Sequence, residues 1–231
     1  MSEIKGEADV AAAAALLAEP ARVKLVVALT EHDALPASAL AARAGIAPST
    51  ASEHLSGLLA GGFLVARRSG RHRYFSLADP AVADAVEALA RVAPQPPVRS
   101  LREATRSEML RSARTCYDHL AGRLGVAFAI ALERQRVLIR ENGGYALGPK
   151  AEARCLTLGI DLAVLEKQRR PIVLGCLDWS ERELHVAGAL GAALASRLFE
   201  LGWIRRREAN RSVEVTDEGR ARMGRELGIE L

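Results

Sequence analysis

Aromatic residues are scarce in this 231-residue chain, at 4%. A core with so few large rings has to be assembled from Ala, Leu and Val, which favours helices packed through small side chains. Cysteine is rarer still, present only as Cys116, Cys155 and Cys176. An odd, sparse set supplies no disulfide framework and suits a reducing cytosol. No stretch approaches the roughly 18 uninterrupted apolar residues of a membrane span. The N-terminus lacks a basic-then-apolar signal pattern, because the short run Ala11–Ala15 follows acidic residues. A cytoplasmic location without a membrane partner is expected. Also missing are a phosphate-cradling Gly-rich loop, a nucleophile elbow and a metalloprotease motif, so neither an enzyme nor a cofactor is expected.

What is present reads as globular: 49% apolar and 26% charged residues. A net charge of +4 permits an anionic partner without demonstrating one. The clearest break is Pro94-Gln95-Pro96-Pro97, where three prolines in four residues favour a stiff, extended spacer. It predicts a domain over residues 1–93, a linker at 94–97 and a second domain over 98–231.

In the first domain, Asp9–Leu17 is helical by content, and Pro20 suits the first turn of a second helix carrying Val23, Leu25, Val27 and Leu29. A short helix, Ser38–Ala44, is broken by Gly45. Another opens at Pro48-Ser49 and runs to about Ala60, before Gly61-Gly62. Phe63–Arg68 and His72–Leu77 alternate as strands around a Ser69-Gly70 turn, and Asp79-Pro80 starts a last helix with Val82, Val86 and Leu89 on one face. Two helices joined by a tight glycine turn and followed by a two-stranded wing form a nucleic-acid-docking arrangement.

The helix after Gly45 begins Pro48-Ser49-Thr50-Ala51-Ser52-Glu53-His54, a first turn rich in the short polar groups that reach base edges and phosphates. Leu55, Leu58 and Leu59 lie on the opposite face. The hairpin tip carries Arg67, Arg68, Arg71, His72 and Arg73, charges that repel unless a polyanion neutralises them. A basic turn alone is compatible with plain solvation. Directly after a helix-turn-helix, it points to DNA.

These residues also carry a family resemblance. Leu16-Leu17-Ala18-Glu19-Pro20-Ala21-Arg22-Val23-Lys24-Leu25 resembles the opening of the ArsR-type winged-helix repressors. Leu40–Leu55 is similar to their helix-turn-helix, and Gly61-Gly62-Phe63-Leu64 with Gly70–Leu77 to their wing, so the match spans about residues 8–92. The resemblance implies a symmetric homodimer held by the first and last helices of the unit, a palindromic double-stranded DNA operator, and repression relieved by an effector. It places DNA contacts at Pro48, Ser49, Ser52, Glu53 and His54, with wing contacts at Arg68, Arg71 and Arg73. Thr50 joins them as part of the same first turn. Glu53 departs from the usual His or polar residue and would accept from cytosine rather than donate. Metal-sensing members carry a cysteine pair before the recognition helix or Asp/His ligands on the last helix. Here the corresponding helices have no cysteine, and the last offers Asp79, Asp84 and Glu87 without a histidine.

The second domain contains a repeat. His119-Leu120-Ala121-Gly122-Arg123-Leu124-Gly125 aligns with His185-Val186-Ala187-Gly188-Ala189-Leu190-Gly191 at an offset of 66. Each copy continues into a hairpin-like stretch, Val137–Leu147 turning at Asn142-Gly143-Gly144 and Trp203–Val215 turning at Ala209-Asn210. A polar helix then leads to Leu-Gly-Ile-acid at Leu158–Asp161 and Leu227–Glu230. The expected fold is mainly α with small hairpin wings: the N-terminal winged helix-turn-helix, then two duplicated winged-helix-like units over about 116–161 and 182–230. The small residues of the shared motif would let the two helices approach each other around a pseudo-twofold axis.

Cys116 and His119, three apart, are expected on one helical face, with Cys176, Asp178 and His185 preceding or entering the matching helix. Such thiols and imidazoles are ligands for zinc or another soft metal. Histidines at helix starts are more often hydrogen-bonders, and lone cysteines small apolar filler, so no metal is assigned. A thiol- or metal-responsive sensor remains the alternative reading, and an enzyme with a DNA-binding head a lesser one. A third treats the second domain as a dimerisation or partner-binding module. Asp178-Trp179-Ser180-Glu181 reads as a capped helix start, and Arg205, Arg206, Arg207 and Arg211 as a second basic tip, read as solvated surface.

Overall fold

The computed structural model describes residues 8–32, 34–94, 97–207 and 210–230. The chain divides into a unit ending at Ala88 and another beginning at Leu89, inside the helix that precedes the proline cluster. Gln95 and Pro96 of that cluster lie outside the described residues.

The first unit opens with α1 (Val10–Leu17), capped by the Asp9 carboxylate, which accepts from the Ala12 amide at 2.9 Å. Then come α2 (Pro20–Leu29), β1 (Leu35–Pro36), α3 (Ala37–Ala44), α4 (Pro48–Ala60), β2 (Leu64–Ser69), β3 (His72–Leu77) and α5 (Pro80–Val92). Gly45, at φ +66°, ends α3 in the left-handed conformation that lets the chain turn directly into α4. The strand β1, two residues long, is too short to leave a pattern in the sequence. It pairs with β3 through Leu35 and Phe75, giving the sheet order β1-β3-β2. Leu25, Leu40, Leu55, Leu58, Leu64 and Phe75 meet in the core. On α5 the buried positions are Ala83, Val86 and Glu87, whereas Leu89, expected inward, is 49% exposed.

Past the end of α5, the second unit's next helix is α6 (Leu101–Ser112), which shows no apolar stripe in the sequence because it is polar and buries no residue. Its start is nonetheless written locally: Ser100 Oγ accepts from the Glu103 amide, and Glu103 reaches back to the Arg99 amide. Next are β4 (Arg114–Cys116), β5 (His119–Ala121), α7 (Gly122–Arg134), β6 (Leu138–Glu141), β7 (Gly144–Leu147), α8 (Ala151–Thr157) and α9 (Leu162–Glu166). After them come β8 (Leu174–Leu177), β9 (Leu184–Ala187), α10 (Gly188–Glu200), β10 (Ile204–Arg206), β11 (Val213–Val215) and α11 (Asp217–Leu227). Hairpin, helix, hairpin, helix thus occurs twice. The turn expected at Ala209-Asn210 falls partly outside the described residues, since Ala209 is among those excluded.

The structure corrects one expectation here. Cys116 and His119 do not share a helical face. They sit opposite each other on the β4–β5 hairpin, and Cys176 and His185 do the same on β8–β9. The helices start only at Gly122 and Gly188, at φ +72° and +81°. A Cβ at Gly122 would lie 2.6 Å from the Arg111 carbonyl oxygen, so the strand-to-helix corner needs glycine. Strands of three or four residues are too short to show a period-2 pattern against the Ala-rich helices that follow.

The halves share their cores. Leu120, Leu124 and Phe128 of the first half pack with Trp203, Met223 and Leu227 of the second. Val186, Leu190 and Leu194 of the second pack with Leu138, Tyr145 and Cys155 of the first. The motif glycines serve this exchange by facing the opposite hairpin, and not the helix-to-helix approach expected for them. A Cβ on Gly191 would stand 2.4 Å from the Val186 carbonyl oxygen and 3.2 Å from His119 Cβ, while one on Gly125 would stand 2.5 Å from the Leu120 oxygen and 3.5 Å from His185 Cβ. Gly191→Val is therefore expected to destabilise the unit by about 1–3 kcal/mol through overpacking. A urea transition whose midpoint matches wild type would contradict this close approach.

Candidate functional site

On the first unit, α4 presents Pro48, Ser49, Thr50, Ser52 and Glu53 to solvent, with His54 half-buried at the margin. Leu55 and Leu58 anchor the opposite face, with Leu59 half-buried beside them. The cap position is Ala47, which makes no side-chain hydrogen bond, so the first amides of α4 have no side-chain acceptor at the positive end of the helix dipole. Such an end favours phosphate. The Ser52 hydroxyl donates to the Pro48 carbonyl at 3.0 Å, which leaves its oxygen lone pairs facing solvent.

The wing is the β2–β3 hairpin. Ser69 pairs with His72 around Gly70-Arg71, with Gly70 at φ +59° as a tight turn requires. Arg68 and Arg73 are direct cross-strand partners, both exposed. Like charges placed opposite each other on a sheet are destabilising. Arg73 lies over the Phe75 ring at 5.2 Å, which steadies the guanidinium close to the tip. The second basic tip is different: Arg206 covers Phe199 at 4.6 Å, and Arg207 stands 4.0 Å from Glu214.

On the second unit the structure gathers Cys116, His119, Cys176 and His185, with one ligand atom from each lying within 4.8 Å of all the others. Cys116, His119 and His185 are only 2%, 5% and 1% exposed, and Cys176 is half-buried. The two Nε2 atoms face each other at 3.2 Å. The Nδ1 atoms turn away toward carboxylates: His119 to Asp118 at 3.2 Å, His185 to Asp178 at 3.4 Å. Tyr117, at φ +56°, holds the two-residue turn between Cys116 and His119 in a backbone region costly for a bulky side chain.

The electrostatics of the cluster are strongly perturbed. A hydrogen bond from the Cys116 thiol draws the Cys176 thiol far below the usual range. Burial opposes this, and hydrogen bonds from His119 and His185 reinforce it. Burial pushes His119 down, but the Asp118 carboxylate and the Cys176 sulfur outweigh it and raise His119 to about 9. By contrast, burial raises the Cys155 thiol, which lies outside the cluster on α8.

Asp178 braces the arrangement. Its Oδ2 accepts from Arg114 at 2.9 Å and from the Gly122 amide at 2.7 Å, so it caps α7 where Ala121 offers no side-chain acceptor. Its Oδ1 accepts from the Ser180 and Glu181 amides. The expected helix at Asp178–Glu181 is therefore a turn; the capping chemistry is present, but a different helix receives it. Arg114 and Asp178 are both fully buried, and the Arg114 guanidinium lies 4.4 Å over Trp179. Sequence reasoning does not single out Arg114 or Asp118, because neither stands in a recognisable motif.

A helix with an exposed polar start, followed by an arginine-tipped hairpin, defines a winged helix-turn-helix, a DNA-docking module. A family model described as a helix-turn-helix domain matches residues 17–67. The chain is 37% identical over 223 residues to the uncharacterized HTH-type transcriptional regulator YdfF of Bacillus subtilis (strain 168), covering 96% of this chain and 99% of that protein. This chain belongs to that family of HTH-type transcriptional regulators, and it is a DNA-binding regulator. Among solved structures, it is similar to the homodimeric winged helix-turn-helix domain of Mb0332 from Mycobacterium bovis, a possible ArsR-family regulator. That match is 30% identical, with a TM-score of 0.33, over 38% of this chain and 88% of that one. It is also similar to the cadmium sensor CMTR of Mycobacterium tuberculosis, at 36% identity and a TM-score of 0.32, over 39% of this chain and 98% of that one. No helix among the described residues is long and apolar enough to cross a membrane.

Proposed function

We propose that the chain is an ArsR-type, sequence-specific, homodimeric repressor acting in the cytoplasm without catalysis. It reads a palindromic operator through Pro48, Ser49, Thr50, Ser52, Glu53 and His54, and grips phosphates through Arg68, Arg71 and Arg73. The carrying observation is the pairing of Arg68 against Arg73 on the wing, together with the open start of α4 in the same unit. A polyanion relieves that repulsion and occupies the helix end at once. Dimerisation through α1 and α5 is supported by α1, which is apolar throughout yet buries no residue, and by Leu89 and Val92, exposed at 49% and 80%. The second unit, read as two duplicated winged-helix-like units, receives the releasing signal.

Selection of bound sequences from random duplexes with the full chain tests this reading. Enrichment of an inverted repeat with half-sites about one helical turn apart is expected; no enrichment over input would refute it. Ser52→Ala is expected to change the selected sequence more than the non-specific affinity. Equal loss on all duplexes would remove Ser52 from base reading.

A further inference from the structure

We infer that Cys116, His119, Cys176 and His185 form a closed binding site for one zinc-type divalent cation, with one Cys–His pair supplied by each hairpin of the second unit. The register is the first support. Cys116 faces His119 across β4–β5, and Cys176 faces His185 across β8–β9. The two pairs are brought together by the same exchange that seats Gly191 on His119 and Gly125 on His185.

The nitrogen geometry is the second. Each Nδ1 lies beside a carboxylate, Asp118 for His119 and Asp178 for His185, so the two Nε2 atoms turn inward toward each other. The two Nε2 atoms stand 3.2 Å apart, close enough to share one cation. Tetrahedral zinc with nitrogens at 2.0–2.1 Å separates them by about 3.3 Å, so the observed spacing is one edge of such a tetrahedron. Both sulfurs lie within the 4.8 Å span that completes the set.

Charge and donor type are the third. Two thiolates and two neutral imidazoles around a divalent cation sum to zero, which is what a nearly water-free location demands. Two sulfurs and two nitrogens in a tetrahedron select zinc over hard cations such as magnesium or calcium. Asp118 and Asp178, each behind one histidine, occupy the outer positions typical of zinc-bound imidazole. Four protein ligands leave no open coordination position, so the ion fastens the two halves together and performs no hydrolysis.

The full chain, reduced and stripped with chelator, is titrated with cobalt(II) and then zinc. The visible bands of tetrahedral cobalt and a thiolate charge-transfer band are expected at one equivalent per chain, bleached by zinc. Zinc is also expected to raise the thermal midpoint. Cys116→Ser and His185→Gln should lose the spectrum, and Cys155→Ser should keep it. Cys176→Ser, at the half-buried ligand, serves if another variant fails to fold by circular dichroism. Absence of a tetrahedral spectrum in the wild-type chain would overturn the site. So would a spectrum that survives loss of both Cys116 and Cys176, or isolation of a Cys116–Cys176 disulfide that persists under reducing conditions. None of these readouts involves DNA, so failure of the metal site and failure of the repressor reading are separable.

Discussion

Replacing Arg71 and Arg73 together with alanine is expected to weaken DNA binding and to flatten its salt dependence. Each phosphate neutralised adds about 0.9 to the slope of log K against log salt, because condensed counterion is released there. Freeing two phosphates per subunit lowers the slope by about two, or about four in a dimer. Affinity should fall on specific and non-specific duplexes alike, since phosphates carry no sequence. The same substitutions remove the Arg68–Arg73 repulsion and the stacking of Arg73 on Phe75. These folding effects are each under about 1 kcal/mol and opposite in sign, so the fold should be almost unaffected. Titrations across a salt series, alongside a thermal melt, separate the two effects. An unchanged slope would mean that the wing does not touch the backbone.

The second large effect concerns the interior. Asp178→Ala leaves the Arg114 guanidinium, fully buried, without its carboxylate, and strips the Gly122 amide of its acceptor. Removing one partner of a buried pair costs about 3–5 kcal/mol. Whole domains are stable by about 5–15 kcal/mol, so the variant's second unit should be close to unfolding. Both tryptophans, Trp179 and Trp203, lie in that unit, and Trp179 stacks under Arg114, so their fluorescence reports its unfolding in urea. The double variant Arg114→Met with Asp178→Leu is expected to recover much of the loss, because no uncompensated charge remains. Measuring in chelator keeps metal out of the comparison. A single variant within about 0.5 kcal/mol of wild type would show that water reaches Arg114.

The first unit is readable almost residue by residue. Asp9 as a cap, Pro20 and Pro48 at helix starts, Gly45 as a left-handed stop and Gly70 in the wing turn act within a few positions of themselves. Local chemistry of that kind survives in a linear reading. The 66-residue offset relates His119 to His185 along the chain, and the fold places these two rings against each other. What misleads is the Ala- and Leu-rich sequence after each histidine, which extends the expected helix backwards over strands too short to declare themselves.

The sequence alone determined that the chain begins with a winged helix-turn-helix. It did so because helix period, caps and glycine turns are local. Tertiary structure alone decided that four residues spread from Cys116 to His185 meet at one buried point, and that Asp178 neutralises Arg114 and caps a helix 56 residues away. Those relations depend on hairpin register and on cores exchanged between the two halves. Such contacts form between distant segments, and their free energy leaves no periodic trace along the chain.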